Sequence, residues 1–221
     1  MNHQPSFDEM RQTMIDCQLR PTGVSDPRVV EAFASVARER FVPADRTGLA
    51  YVDDDLEIAP GRYLMDPMAF GQLLMGAQFK PHERVLVIGA AGGYAAAVIS
   101  RLVAEVVLLE SDSGMAANAC SNLLAEGADN AKVVDGPLAE GWAAAGPYDA
   151  IFFDGAVAHL PPALLSQLKD GGRVVGVLIG DDGIQRGATG IVVGGSVGTS
   201  EFADISVRPL QGFERPKQFT F

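Results

Sequence analysis

A glycine-containing stretch and a later glutamate have the residue types and spacing of a nucleoside-binding site. The stretch is Gly89-Ala90-Ala91-Gly92-Gly93, which follows an apolar run, and Glu110 lies 21 positions beyond Gly89. A glycine-rich turn between a strand and a helix brings backbone N–H groups and the helix N-terminus towards one point. An acidic residue at the tip of the next strand can accept hydrogen bonds from a ribose diol. Turn and acid together predict a cofactor that contains a nucleoside.

The turn taken alone has a second interpretation. A G-x-x-G-G sequence also forms compact strand-to-helix connections that bind no ligand. Glu110 is the residue that favours the binding interpretation, because ligands of open α/β sheets lie at the carboxyl ends of the strands.

The elements that position these residues alternate between strand and helix. Apolar runs predict strands at 84–88, 105–109, 131–134, 148–153 and 173–179, with helices at 95–102, 112–126 and 161–169 and a short helix at 138–145. Strands separated by helices pair in parallel. Two further strands, 190–193 and 202–207, follow without a helix, so they must pair antiparallel. The predicted fold class is α/β, a Rossmann-like sheet of five parallel strands completed by a C-terminal antiparallel hairpin.

The N-terminal forty residues predict a small helical layer. Ser6 to Glu9 fits a capping box, and the helix that it begins should run to about Arg20 and stop before Pro21. Asp26-Pro27 combines a capping residue with a proline at the first helical position, so a second helix begins there.

The stretch 41–66 has little periodicity and contains three consecutive aspartates, so it is a surface connection or a functional loop. Asp66-Pro67 then predicts the start of another helix. We expect residues 1–66 to form a helical layer and substrate-side loop within the same domain as the cofactor-binding core, residues 67–221.

Composition limits the classes of molecule that the protein can bind. The 221 residues are 48% hydrophobic and have a formal net charge of −11. This charge disfavours nucleic acid as a partner, because affinity for phosphates requires basic residues. Cys17 and Cys120 lie in helical patterns and are expected to be buried, reduced thiols, with no metal site. With no signal-like or membrane-length apolar run, we expect a soluble cytoplasmic protein; the oligomeric state does not follow from the sequence.

The order of motifs resembles that of class I S-adenosylmethionine-dependent methyltransferases and, more narrowly, that of the protein-L-isoaspartate O-methyltransferase family. The resemblance covers nearly the whole chain. The matching segments are Asp26 to Ala32, Arg40-Phe41-Val42-Pro43, Leu49-Ala50-Tyr51, Arg84 to Tyr94, Pro147 to Ile151 and Leu164 to Arg173. The resemblance implies S-adenosylmethionine as cofactor and methyl transfer to a carboxylate of a protein or peptide, as in isoaspartyl repair.

The resemblance also implies roles for individual residues. Gly89 and Gly93 match the glycines of the cofactor loop, and Glu110 matches the acid that holds the ribose. Asp135-Gly136 falls near the adenine, and Asp154-Gly155 borders the cleft of methyl transfer. Ala91 occupies the interior of a turn that is usually Gly-Thr-Gly-Ser-Gly, and a left-handed conformation there would cost about 1–2 kcal/mol relative to glycine.

A second departure lies in the loop that precedes the helix at Pro67. The family has a Gly-Gln-Thr-Ile-Ser-Gln-Pro type of segment, and here Met65 stands at the serine position, where a thioether cannot donate a hydrogen bond. Arg62 and Tyr63 are candidates to replace the lost hydroxyls, since arginine binds carboxylates bidentately and a phenol donates a hydrogen bond. Their alternative is a solvated arginine and a packed aromatic. Asp66 either faces the substrate or only caps the helix.

Methyl transfer to a carboxylate makes modest demands on the protein. A carboxylate with a pKa of about 4 is ionised at neutral pH, so no general base is required. His159 is a candidate base or an exposed loop residue, whereas His3 and His82 lie away from the strand ends. Two alternatives remain. Met65 and Ala91 favour a non-catalytic member that keeps the fold, and a nucleotide-dependent oxidoreductase is disfavoured by the terminal hairpin.

Overall fold

The computed structural model describes residues 5–215 and is built on a seven-stranded sheet, which follows a short hairpin of β1 (Leu56–Ala59) and β2 (Arg62–Leu64) in the chain. The strands of the sheet are β3 (Arg84–Ile88), β4 (Glu105–Glu110), β5 (Ala131–Asp135), β6 (Tyr148–Val157), β7 (Leu168–Ile179), β8 (Gln185–Val193) and β9 (Ser196–Ala203). Their order across the sheet is β5-β4-β3-β6-β7-β8-β9. The four neighbouring pairs β5–β4, β4–β3, β3–β6 and β6–β7 are parallel, and β8 pairs antiparallel with both β7 and β9. The predicted fold class is therefore confirmed.

Both faces of the central strands are buried, which explains why these strands are apolar without alternation. One face, including Val87 and Phe152, packs against the N-terminal helices α1 (Phe7–Met14) and α2 (Pro27–Ser35) and against α3 (Pro67–Ala77), α4 (Tyr94–Ser100) and α5 (Ser113–Ala125). The other face, including Ile88 and Phe153, is covered by short helical turns, by α6 (Pro162–Leu165) and by Leu210 and Phe213 of the C-terminal segment.

The N-terminal helices begin where their caps predict. Ser6 and Glu9 form a complete capping box, and Asp26 caps α2 by accepting a hydrogen bond from Arg28 N. The predicted stop before Pro21 is confirmed within one residue: α1 continues as π-helix to Leu19, and a separate 3₁₀ turn runs from Arg20 to Thr22. Pro21 is tolerated because the residue before it opens a new turn rather than continuing the α-helix.

The stretch 41–66 is more regular than its sequence suggests. It contains a 3₁₀ segment, Ala44–Leu49, followed by an antiparallel hairpin of β1 (Leu56–Ala59) and β2 (Arg62–Leu64). The hairpin pairs with no strand of the large sheet in the described part of the chain. The short strands and the proline at the turn hide the period-two pattern, so sequence reasoning missed this element.

Two elements near the C-terminus differ from the sequence prediction. The helix expected over 161–169 is a single turn, because Leu168 already pairs with Tyr148 as the first residue of β7. The Gln167 side chain ends that turn by accepting from Trp142 N and donating to Glu140 O. The terminal strands are also longer and earlier than predicted, since the chain turns at Gly194-Gly195, both at positive φ, and β9 ends at Ala203.

The cysteine prediction is wrong in its burial. Cys17 and Cys120 are both exposed free thiols, on the outward faces of their helices. Within residues 5–215, the helices are too short or too polar to cross a membrane.

Candidate functional site

The sheet brings the predicted cofactor residues to one edge. Gly89 follows β3 directly, and its N–H donates to Leu109 O at the end of β4. Glu110 and Asp135 are register partners at the ends of β4 and β5, and Asp154 lies near the end of β6, on the other side of β3. The carboxyl ends of four parallel strands thus place these side chains around the glycine turn, as the sequence predicts.

The turn has the backbone conformation that its glycines suggest. Gly89 and Gly93 have φ angles of 78° and 96°, and Ala91 also has a positive φ of 31°. A residue with a Cβ is strained in this region by about 1–2 kcal/mol. The departure of Ala91 from the usual glycine therefore produces strain at this turn.

Glu110 is fully buried and saturated with hydrogen bonds. Its Oε1 accepts from Ser111 N at 2.8 Å, from Asp112 N at 3.0 Å and from Arg62 Nη1 at 2.7 Å, and its Oε2 accepts from Arg62 Nη2. The side chain of Arg62 is 10% exposed and that of Glu110 is 0% exposed. Arg62 does bind a carboxylate bidentately, but that carboxylate belongs to the predicted ribose-binding residue.

Arg62 also reaches the glycine turn itself. Its Nη2 donates to Gly89 O at 3.1 Å, so one guanidinium joins the turn and the acid. Arg62 is the first residue of β2, and the hairpin places it over the carboxyl ends of β3 and β4. Sequence reasoning placed Arg62 in the substrate loop but missed its ion pair with Glu110, which lies 48 positions away.

The C-terminal segment covers the turn from the other side. A Cβ added at Gly89 would lie 2.5 Å from Leu210 Cδ1, and one at Gly155 would lie 3.1 Å from Leu210 Cβ. Leu210 N donates to Ala156 O, which ties the segment to the extended end of β6. No sequence signal pointed to Leu210, because a lone apolar residue in a tail has no periodicity.

In the described conformation, the acid and the glycine turn at this edge are both contacted by other side chains of the protein. Both oxygens of Glu110 are held by Arg62, and Leu210 contacts the turn at Gly89. Asp135 is exposed beside them, and Gly136 packs near the Trp142 ring, with 3.6 Å between its added Cβ and Cζ3. Arg62 therefore covers Glu110, and Leu210 covers Gly89.

The remaining residues of the substrate loop face the protein. Met65 is 5% exposed and lies in the hydrophobic core, while Asp66 accepts from Ala69 N at 2.8 Å and caps α3. Burial raises the pKa of Asp66. Tyr63 is half-buried, with the guanidinium of Arg208 at 5.2 Å from its ring centroid. Of the two interpretations, the structure favours the capping role for Asp66 and the packed-aromatic role for Tyr63.

A buried arginine that sequence reasoning missed supports this loop. Arg38 is 1% exposed, donates from Nε to Ala50 O at 2.6 Å and from Nη2 to Met65 O at 2.7 Å, and lies over the Tyr94 ring. Its position two residues before the Arg40-Phe41-Val42-Pro43 motif is the one signal that could have identified it.

Among the carboxylates at this edge of the sheet, Asp154 has the most strongly shifted pKa. Burial raises its pKa to about 7, and the negative charges of Asp55 and Glu110 act in the same direction, against the opposing effect of Arg38 and Arg62. His159 follows on the partly exposed loop after β6. The described residues contain no group of three potential metal ligands.

Comparison with known proteins places this architecture in one family. A sequence profile of that family, protein-L-isoaspartate(D-aspartate) O-methyltransferase, matches residues 9–188. The chain is 38% identical to protein-L-isoaspartate O-methyltransferase 1 of Rhodopseudomonas palustris, over 82% of this chain and 74% of that protein. It is 40% identical to the Herpetosiphon aurantiacus enzyme of the same name, over 76% and 75% of the two chains.

Solved structures agree on the fold. A protein-L-isoaspartate O-methyltransferase structure superposes with a TM-score of 0.79 and 25% identity, over 91% of this chain and 66% of that chain. A Plasmodium falciparum protein assigned to the same family, in complex with S-adenosyl-L-homocysteine, gives a TM-score of 0.75 at 16% identity, over 94% and 99% of the chains. The match over residues 9–188, together with relatives of about 40% identity, shows that this chain belongs to the protein-L-isoaspartate(D-aspartate) O-methyltransferase family of S-adenosylmethionine-dependent methyltransferases.

Proposed function

We propose that this chain is an S-adenosylmethionine-dependent methyltransferase that methylates a carboxylate of a protein or peptide, the isoaspartyl carboxylate being the first candidate. The observation that carries the proposal is the family match over residues 9–188. The layout of the strand ends supports it, because the glycine turn, Glu110 and Asp135 occupy neighbouring strands at one edge.

The proposed chemistry needs alignment rather than acid or base catalysis. The cofactor supplies an activated methyl group, and an acceptor carboxylate with a pKa of about 4 is already ionised at neutral pH. The contribution of the protein is to hold the acceptor in line and to exclude water. The hairpin of β1 and β2 and the segment around Leu210 lie where they would close over such a site.

Thermal unfolding with and without ligand tests the cofactor assignment. At a hundredfold excess over Kd, S-adenosylmethionine or S-adenosylhomocysteine should stabilise the fold by about 2.7 kcal/mol. That corresponds to roughly 5–11 °C for a domain of this size. NAD and NADP should cause no shift, and a shift with either dinucleotide but neither sulfur ligand would contradict the proposal.

A second candidate function is a family member that keeps the fold without isoaspartyl methylation. The specific observations that favour it are the Arg62–Glu110 ion pair and the burial of Met65 at the serine position of the substrate loop. Such a protein would yield no methyl ester on isoaspartyl peptides even when saturated with S-adenosylmethionine.

The cellular location and the roles of the two parts of the chain are also proposals. A cytoplasmic location is supported by two exposed thiols that remain unpaired, since exposed cysteines persist as free thiols in a reducing compartment. We further propose that residues 1–66 serve as the substrate side of the domain whose core, 67–221, holds the cofactor. The packing of α1 and α2 against α3 and α4 in one core supports this division of roles within a single unit.

A further inference from the structure

We propose that Arg62 is an internal competitor of the cofactor: its guanidinium occupies the ribose-binding carboxylate of Glu110, and S-adenosylmethionine binds only when the hairpin of β1 and β2 withdraws it. This inference rests on the proposed function, because it concerns the affinity of the same site. It gives a role to the contact between Arg62 and Glu110, the acid expected to hold the ribose.

Arg62 occupies both carboxylate oxygens of Glu110. Oε1 accepts from two backbone N–H groups, from Ser111 Oγ at 3.4 Å and from Arg62 Nη1, and Oε2 accepts from Arg62 Nη2. A ribose diol must donate to the same two oxygens. Arg62 and a ribose therefore cannot both bind Glu110 with full hydrogen bonding, and the binding of one displaces the other.

Arg62 bridges Glu110 and Gly89 O, the two places between which a nucleoside bound at this edge would lie. The guanidinium is planar and bidentate here, and this arrangement is the strongest form of arginine–carboxylate contact. An adventitious surface contact would not combine a 10% exposed arginine with a fully buried acid.

The hairpin that carries Arg62 can move without unfolding the domain. The β1–β2 hairpin has seven residues in strands and pairs only with itself among the described strands. Isolated two-stranded hairpins are marginally stable, so local opening requires far less free energy than global unfolding. Besides Arg62, the anchors of the hairpin are Leu56 and Leu64, which are buried in the core, and Glu57 O, which accepts from Arg46 Nη1. Next to the hairpin, Asp55 accepts from Asp66 N at 3.0 Å and from Arg208 N at 2.9 Å.

The consequence is a lowered apparent affinity. When only a fraction of molecules has the binding-competent conformation, the apparent Kd is the intrinsic Kd divided by that fraction. Removing the guanidinium raises the competent fraction and leaves Glu110 with its two backbone donors and free capacity for a ribose. Because Glu110 then lacks its buried partner, the same variant should be less stable than the wild type when no ligand is present.

Isothermal titration of S-adenosylhomocysteine into the full chain tests the proposal. The variant R62Q should bind at least tenfold more tightly than the wild type. The matched control is R186Q, which removes the ion pairs that Arg186 on β8, three strands away from β3, forms with Asp182 and Glu201, and should bind as the wild type does. If R62Q does not fold, R62K keeps the charge but loses the bidentate fork and should bind several-fold more tightly.

The outcomes separate this inference from the proposed function. Equal Kd values for the wild type and R62Q, or weaker binding by R62Q, would overturn the competition while leaving the methyltransferase assignment standing. If neither folded protein binds S-adenosylmethionine or S-adenosylhomocysteine at millimolar concentration, the proposed function fails and the competition fails with it. Hydrogen exchange gives an independent readout: ligand should increase amide exchange in 56–64 of the wild type, and unchanged or slower exchange there would contradict withdrawal of the hairpin.

Discussion

Replacing Ala91 by glycine isolates the backbone strain of the cofactor turn. Ala90 and Ala91 are adjacent, each is 2% exposed, and only Ala91 has a positive φ, at 31°. Both substitutions delete one buried methyl group, worth about 0.8 kcal/mol, and both add the flexibility of glycine to the unfolded chain, worth about 0.5–1 kcal/mol. A91G alone also releases the cost of the left-handed conformation, about 1–2 kcal/mol. We therefore expect A90G to destabilise clearly and A91G to be near neutral.

The measured quantity is the difference in unfolding free energy between the two variants. Urea titrations extrapolated to water should give A91G an advantage of about 1–2 kcal/mol over A90G, with equal m values. In thermal unfolding the same difference corresponds to roughly 2–8 °C. Equal destabilisation by both substitutions would refute the strain argument, because the methyl and entropy contributions are common to the pair.

Substitutions at three further positions test the loop and the acid of β6. M65S should destabilise by about 2–5 kcal/mol, as for truncation of other core methionines, and should not increase methylation above that of the wild type, because the side chain lies in the core. M65L should cost less than about 1.5 kcal/mol. In urea unfolding, D66A should lower the unfolding free energy by about 0.5–2 kcal/mol, because the cap of α3 is missing. D66N should keep most of the stabilisation that the cap provides, and equal losses in the two variants would contradict a capping role. Since Asp154 has its pKa raised to about 7, the native state holds a proton that the unfolded state releases near pH 4, so unfolding free energy should fall as the pH rises from about 4 to about 7. Relative to D154N, that loss should be about 1–3 kcal/mol after solvent screening, and parallel pH profiles would contradict the raised pKa.

The sheet and its carboxyl edge could be predicted because their signals are local. The apolar runs of 84–88 and 105–109 are long enough to identify buried strands, and a glycine turn or an acid follows each one directly. Parallel pairing then brings those endings together without any knowledge of side-chain contacts. Asp26 and Asp66 were predictable as helix caps for the same reason, since a cap depends on three neighbouring residues.

The state of the site could not be predicted because its decisive contacts are long-range. The partner of Arg62 lies 48 positions away, and nothing in the hairpin sequence specifies which acid it meets. Leu210 covers Gly89 from a segment without periodicity, and Arg38 is buried by contacts with backbone carbonyls rather than by a patterned face. Cys17 was assigned to the buried side of its helix from spacing alone, but the change from α to π helix at Ile15 rotates the register of the residues that follow.

The most direct test of the central claim is transfer of a labelled methyl group from S-adenosylmethionine to two synthetic peptides that differ only in an isoaspartyl or an ordinary aspartyl linkage. The account predicts base-labile methyl ester on the isoaspartyl peptide, in proportion to protein and time, and none above background on the aspartyl peptide. Saturation with S-adenosylmethionine and no methyl ester on either peptide would contradict isoaspartyl methylation and leave the family fold serving another purpose.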